Sequence, residues 1–333
     1  MKYSFEKSQQ HWRALGRTAL ENGILKCEFT ASGFETEIDA VGDVILEFEM
    51  KGIAGMFAVI VNNDYGHMQT YYFQPGKHRA IIATLTEKSV VRVVKLTEYS
   101  RMQLDLIGIE FDGKFGKCPD SKALKFDFYG DSLTCGYGNL STNRNSPDPF
   151  GALEHGYLTW AALLAREYDA DFNCICCSGQ GFISDCGGNK EGIIDKYRDY
   201  ALPSKGVLWD YSKYVADYVF INFGTNDINW CKNSNTPLDT DLLYSKAEAL
   251  TDNIRRHNPD CNFIWALGFD SSNPYFTQMV DTYKKIAEKD GRMYVIDCLT
   301  CNQLGGDWHP NLDDHKLIFE KLKKELEKLN IGL

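Results

Sequence analysis

The feature that most constrains this chain is a change of hydrophobic period near Cys118-Pro119-Asp120. Before it, short runs rich in β-branched and aromatic residues recur between turn signals: Gly23–Phe29, Gly33–Ile38, Val44–Glu49, Met56–Val61, Thr70–Phe73, His78–Leu85 and Ser89–Leu96. Gly42-Asp43, Asn62-Asn63-Asp64 and Pro75-Gly76 break the runs. Short strands at this spacing predict a sandwich of the jelly-roll kind, with one short helical piece near Ser8–Leu15. After the break, apolar strands alternate with amphipathic helices. The strands are expected at Leu124–Tyr129, Phe172–Cys177, Val215–Phe223, Cys261–Leu267 and Met293–Asp297. The helices are expected at Tyr157–Glu167, Leu242–His257, Phe276–Lys289 and about Asp313–Leu329. In the last helix Leu317, Phe319, Leu322, Leu326 and Leu329 mark the apolar side. Alternation of this kind predicts an α/β domain with a mostly parallel sheet flanked by helices. At roughly 150 residues per domain, 333 residues hold about two, so we expect a β-sandwich over 1–118 and an α/β domain over 119–333.

The charge follows the same division. Residues 1–118 carry 14 Lys and Arg against 15 Asp and Glu, whereas 119–333 carry 22 against 31. The net −10 argues against nucleic acid and anionic membranes as partners. No apolar run reaches the ~18 residues of a membrane helix. The start, Met1-Lys2-Tyr3-Ser4-Phe5-Glu6, shows no secretory pattern. With 11 cysteines, an odd number, the simplest expectation is a reducing, cytoplasmic location with free thiols. Cys174–Cys177 and Cys298–Cys301 have zinc half-site spacing. They lie 120 residues apart, and Cys174 and Cys176 fall inside an apolar strand, where a thiol acts as a small hydrophobe. Nothing resembles a nucleotide-binding glycine loop.

Active sites of parallel α/β sheets gather at the carboxyl ends of the strands. Four segments are expected there: Gly130-Asp131-Ser132-Leu133, Ser178-Gly179-Gln180-Gly181, Gly224-Thr225-Asn226-Asp227 and Asp307-Trp308-His309-Pro310. Each alone reads equally well as a turn or a helix cap. Together they supply a hydroxyl nucleophile, oxyanion donors and a late histidine base, the parts of an acyl-transfer site.

In type and order these segments resemble the conserved blocks of the SGNH (GDSL-type) hydrolases, over roughly residues 124–330. The resemblance implies Ser132 as nucleophile, His309 as base, and an oxyanion hole made by the Ser132 and Gly179 N–H groups and the Asn226 side chain. A β-sandwich placed directly before such a domain looks like carbohydrate esterase family 2, the acetyl-sugar esterases. The segments Phe128–Gly138 and Cys177–Gly181 are similar to that family's versions. That implies removal of acetyl groups from plant-polysaccharide oligosaccharides of xylan or mannan type, with no metal or organic cofactor. A lipase or thioesterase acting on longer acyl chains, or a sugar-binding protein without catalysis, are the other readings.

One position departs from the pattern. Most SGNH enzymes carry an Asp three residues before the His. Here that residue is Gly306, and the nearest acid is Asp307, two before His309. Asp307 is therefore expected as the third member, unless a main-chain carbonyl orients the ring. Asp131 is expected to hold the nucleophile's turn. Trp230, Trp308 and Asp227 are named as substrate contacts, with ordinary packing, or for Asp227 a turn-holding role, as the alternative. His315 is expected on the exposed side of the last helix and His155 on a loop.

Overall fold

The computed structural model describes residues 1–53, 55–147, 151–190, 194 and 198–333. Residues 1–115 form two facing antiparallel sheets of six strands each. In the first sheet Met102–Glu110 lies between Ile24–Cys27 and Gly42–Gly52, with Thr18–Glu21 and Gly76–Leu85 at the margins. In the second, Ser89–Lys95 lies between Gly33–Ala40 and Gly55–Val61. Gly42–Gly52 shows the alternation of a half-buried strand: Val44, Leu46, Phe48 and Met50 point inward, while the residues between them are more exposed. Those four meet Phe34, Phe57 and Val59 of the facing sheet in one core.

Gly55–Val61 does not alternate, because both of its faces are covered. Phe57 and Val59 enter the sandwich core, whereas Met56, Ala58 and Ile60 join a second core with Phe126, Phe128, Trp160 and Leu164. The sandwich thus lends one outer face to the α/β half. The run Gly55-Met56-Phe57-Ala58-Val59-Ile60-Val61 is apolar throughout for this reason.

Residues 116–124 contain no strand or helix, and the α/β half begins at Lys125–Gly130. Its five strands run parallel in the order Asp171–Cys176, Lys125–Gly130, Tyr218–Asn222, Asn262–Ala266, Met293–Ile296. Tyr218–Asn222 is buried along its whole length, as expected of a strand covered on both faces. Helices Trp160–Glu167 and Leu312–Leu329 contribute Trp160, Leu164, Ile318 and Leu322 to the core on one face. Helices Thr240–His257 and Phe276–Ala287 contribute Leu243, Leu250, Val280 and Tyr283 on the other. Chain order reverses at Lys125–Gly130, so its carboxyl end opens the crevice where such sheets bind ligands.

Several expectations are corrected. Ser8–Leu15 is a single tight turn, Gln9–His11, followed by the strand Trp12–Leu15, which pairs with Gly33–Ala40. The central strand Met102–Glu110 and the helix Thr225–Ser234 were not among the expected elements. His315 is fully buried, and its Nδ1 accepts the Trp160 N–H at 3.3 Å. Of the expected apolar markers of the last helix, Phe319, Leu322 and Leu326 are buried and Leu329 packs on the core, whereas Leu317 is 37% exposed and its place is taken by Ile318 and His315.

The two halves meet closely at Gly156, whose N–H donates to the Leu96 carbonyl at 2.9 Å. A methyl there would collide with the Thr30 side chain and that carbonyl. We therefore predict that Gly156→Ala lowers stability by about 1–3 kcal/mol in urea unfolding. Gly291→Ala, where an added Cβ meets nothing within 4 Å, should change it by less than about 0.5 kcal/mol.

Candidate active site

Strand Lys125–Gly130 delivers Ser132 through a very short helix, Ser132–Cys135. The Asp131 carboxylate caps it, accepting the Leu133 N–H at 3.0 Å. Gly136, in the left-handed conformation at φ 87°, ends it after one turn. A Cβ at Gly130 would strike the Thr134 side chain, so only glycine lets the helix fold back this tightly. Ser132 is thereby held at the helix start, just beyond the strand end.

His309 Nε2 lies 2.8 Å from Ser132 Oγ, across 177 residues of chain. On the other side of the ring, Nδ1 lies 2.8 Å from the main-chain carbonyl oxygen of Asp307. A carbonyl can only accept, so Nδ1 carries the hydrogen and the neutral ring turns its Nε2 lone pair toward the serine hydroxyl. This corrects the assignment of the Asp307 carboxylate as third member: the residue orients His309 through its backbone, and its side chain is exposed. The cause is local conformation. Asp307 and Trp308 are both left-handed, at φ 52° and 59°, which aims the Asp307 carbonyl back at the ring. Burial holds the His309 pKa below its ordinary 6.5, and the Asp307 carbonyl and charge oppose that only in part.

The loop carrying His309 is pinned on three sides. Gly306 N–H donates to the Gly138 carbonyl at 2.9 Å, and Trp308 N–H to the Arg144 carbonyl at 3.0 Å. The buried Asp314 carboxylate accepts the Asn302 and Leu304 N–H groups, each at 2.8 Å. Asp314 also completes the capping box of the last helix with Asn311. The Tyr137 ring packs on His309 at 4.6 Å between centroids.

Gly179 follows strand Asp171–Cys176 with φ 77°, and its carbonyl accepts the Cys186 N–H at 2.8 Å. Asn226 stands in the first turn of helix Thr225–Ser234, after Gly224 at φ 109°. Its amide donates to Asp131 Oδ2 at 3.2 Å and to the Gln180 carbonyl at 2.7 Å. The structure thus ties the Ser132, Gly179 and Asn226 segments together, and both Asn226 N–H groups are engaged before any ligand arrives. An oxyanion would share or replace the Gln180 bond.

Asp131 and Asp227 are buried behind the site. Burial pushes Asp131 up to about 7, against the Leu133 N–H and with the nearby Asp227 charge. Asp227 rises to about 6 for the same reason, opposed by N–H donors. Those donors are Phe182, Ile183 and Ser184, at 2.8, 2.6 and 3.0 Å. Asp227 as a substrate contact is therefore corrected: its carboxylate is only 1% exposed and shapes the loop after Gly179. Trp230 lies on the same helix as Asn226, its ring against Gly188, where a Cβ would strike the indole. Trp308 is 54% exposed, with the Arg144 guanidinium 4.6 Å over its ring.

The sandwich also reaches the site, through residues that the sequence reading did not single out. Glu98, 1% exposed, accepts the Ser178 N–H and the Cys135 thiol on one carboxylate oxygen and Arg101 Nε on the other, at 3.0 Å. The Arg101 guanidinium sits 4.9 Å over Tyr137, the ring that packs on His309. No local motif marks Glu98 or Arg101. Only their position, between two central strands of the sandwich, brings them here.

Residues 128–317 match the GDSL-like lipase/acylhydrolase family. The cellulase/esterase CelE of Acetivibrio thermocellus is 33% identical over 245 residues, 70% of this chain but 29% of that protein's length. An acetylxylan esterase/glucomannan deacetylase of Cellvibrio japonicus is 26% identical over 273 residues, covering 76% of this chain and 70% of that protein. A family two carbohydrate esterase from Clostridium thermocellum, solved with cellohexaose, superposes with a TM-score of 0.83 at 27% identity, over 96% of this chain and 98% of that one.

Two predictions follow from the His309 geometry. Because the depressed ring pKa keeps His309 neutral to lower pH, the acid limb of kcat/KM for p-nitrophenyl acetate should fall off below pH 6.5. Asp307→Asn should keep kcat within about five-fold of wild type, since an exposed charge is worth at most about 1 kcal/mol. The same variant should move the acid limb lower still, because the lost carboxylate had raised the His309 pKa.

Proposed function

The chain belongs to the GDSL-like lipase/acylhydrolase family, and from that premise we propose that it is a serine carbohydrate O-acetylesterase acting on acetylated plant-polysaccharide oligosaccharides of xylan or mannan type. The observation that carries the reading is the Ser132–His309–Asp307 carbonyl chain of two 2.8 Å contacts at the carboxyl end of the parallel sheet. Relatives and structural neighbours named as acetylxylan and family two carbohydrate esterases support the substrate class.

His309 Nε2 takes the Ser132 hydroxyl proton as Oγ attacks the acetyl carbonyl. The tetrahedral oxyanion is met by the Ser132 and Gly179 N–H groups and the Asn226 amide. His309 then returns the proton to the departing sugar hydroxyl, leaving an acetyl-serine. Water, deprotonated by the same nitrogen, attacks that ester and releases acetate. The Asp307 carbonyl holds the imidazolium through Nδ1–H at each stage. Exposed Trp308 offers a flat apolar surface beside His309 on which a sugar ring can stack, with Trp230 farther back on the helix that carries Asn226. We also infer a reducing, cytoplasmic location, supported by eleven cysteines of which none is paired in the structure.

Mass spectrometry of acetylated xylo-, manno- and gluco-oligosaccharides after treatment tests the reading. Acetate release is expected, with C2 esters preferred over C8 in a chain-length series. Ser132→Ala should lower turnover by about 10⁴-fold or more, and Asn226→Ala by about 10²–10³-fold. Full activity in Ser132→Ala, or a preference for long acyl chains, would overturn it.

A further inference from the structure

A cleft of about 760 Å³ opens along the junction of the two halves, away from Ser132. Strands Trp12–Leu15 and Thr18–Glu21 wall it on the sandwich side. Lys125 and Asp171, which open two strands of the parallel sheet, wall it on the other. Strand Lys125–Gly130 runs from this cleft toward the nucleophile, so the two sites lie about 20 Å apart at the usual strand rise. The volume falls in the range of roughly 300–1,000 Å³ typical of small-molecule sites.

Six Lys and Arg side chains line the cleft against four carboxylates, and a further carboxylate, Glu35, pairs with both Arg13 and Arg92. Four of the six have acidic partners. Arg13 bonds Asp171 at 2.7 Å and Arg92 bonds Glu35 at 2.7 Å. Lys122 pairs with Asp169 at 2.7 Å and Lys213 with Asp210 at 3.6 Å. Arg166 and Lys125 have no carboxylate within ion-pair distance among the described residues. Arg166 donates from one nitrogen to the Tyr157 carbonyl at 2.6 Å and lies over the Tyr65 and Tyr157 rings, at 4.8 and 5.2 Å. The remaining guanidinium donors have no acceptor among the described residues. Burial and the charge of Arg92 both press against its protonated form. A planar guanidinium with free donors facing a cavity is matched by a carboxylate, which takes two parallel N–H bonds. Trp209 and Phe172 also line the cleft and add apolar ring surface to it.

We propose that this cleft is a second ligand site, for a carboxylate-bearing sugar of the uronic acid class, with the carboxylate on Arg166. The site needs none of the residues around Ser132, while the choice of a sugar as the carboxylate's carrier rests on the carbohydrate reading of the function. The carboxylate comes either from a free uronic acid or from a uronate unit on an oligosaccharide.

Isothermal titration of the full chain with D-glucuronate, a glucuronosyl-xylose disaccharide, glucose, xylobiose and inorganic phosphate tests it. The uronates are expected to bind about ten-fold or more tighter than the neutral sugars and phosphate. Tighter binding of the disaccharide assigns the oligosaccharide source, and tighter glucuronate the free acid. Arg166→Met should weaken uronate binding by about ten-fold or more while p-nitrophenyl acetate hydrolysis stays at the wild-type rate. Lys125→Glu provides the second variant, weakening uronate binding in the same direction without touching Arg166. Neutral sugars or phosphate binding as tightly as uronate would overturn the proposal. So would full uronate affinity in folded Arg166→Met or, should that variant fail to fold, in Lys125→Glu.

Discussion

The hydrogen bond from His309 Nδ1–H to the Asp307 carbonyl is the constraint on which the site depends. It fixes the tautomer, and the tautomer fixes what Nε2 can do for Ser132. A carboxylate would add charge stabilisation of the imidazolium, whereas a carbonyl adds only a dipole. Its advantage is geometric. Two consecutive left-handed residues, Asp307 and Trp308, place the carbonyl without a side-chain rotamer to freeze. That conformation is costly for a bulky residue such as Trp308 and persists because its surroundings over-determine it. Gly138 and Gly306 lie so close that a Cβ on Gly138 would strike the Gly306 backbone. Asp314 ties the preceding loop to the last helix.

The second constraint is the seam between the two halves. Strand Gly55–Val61 serves two cores at once, so the sandwich cannot slide on the hydrolase half without exposing Met56, Ala58 and Ile60. This rigid seating lets a loop of the sandwich hold parts of the other half. Glu98 reaches the backbone of Ser178 next to Gly179, and Arg101 reaches Tyr137 next to His309. The segments that carry Gly179 and Ser132 are therefore positioned partly by Glu98, 80 positions from Ser178 and 37 from Cys135, and the His309 ring is backed by Tyr137, over which Arg101 lies.

Much of this was legible in the sequence, for physical reasons that can be named. Parallel strands buried on both faces announce themselves as apolar runs, and all five were foreseen to within a few residues. Ser132 could be singled out because Gly130 and Asp131 suit a tight strand-to-helix turn, and His309 only because four segments stand in a family-like order; the structure brings the two within 2.8 Å. The Asp307 assignment failed because sequence shows side chains and hides carbonyl directions. Nothing in Gly306-Asp307-Trp308 announces two left-handed residues in a row. The last helix buries Phe319, Leu322 and Leu326 as expected, but Leu317 looked like core and is exposed, while a buried position went to His315, a residue whose polarity argued against it. Met102–Glu110 went unseen although it is central. Glu98 and Arg101 were invisible for a different reason: their role depends on a tertiary docking that no local pattern encodes.

The account stands on Ser132 forming a covalent acetyl intermediate at the end of strand Lys125–Gly130. Rapid acid quench of the protein turning over an acetyl ester, followed by proteolysis and peptide mass spectrometry, tests this most directly. The account predicts a single added acetyl group on the peptide containing Ser132, appearing before steady state and lost as substrate is exhausted. Sustained turnover with no acetylated peptide, or an acetyl group carried by another residue such as Cys135 or Cys177, would contradict it.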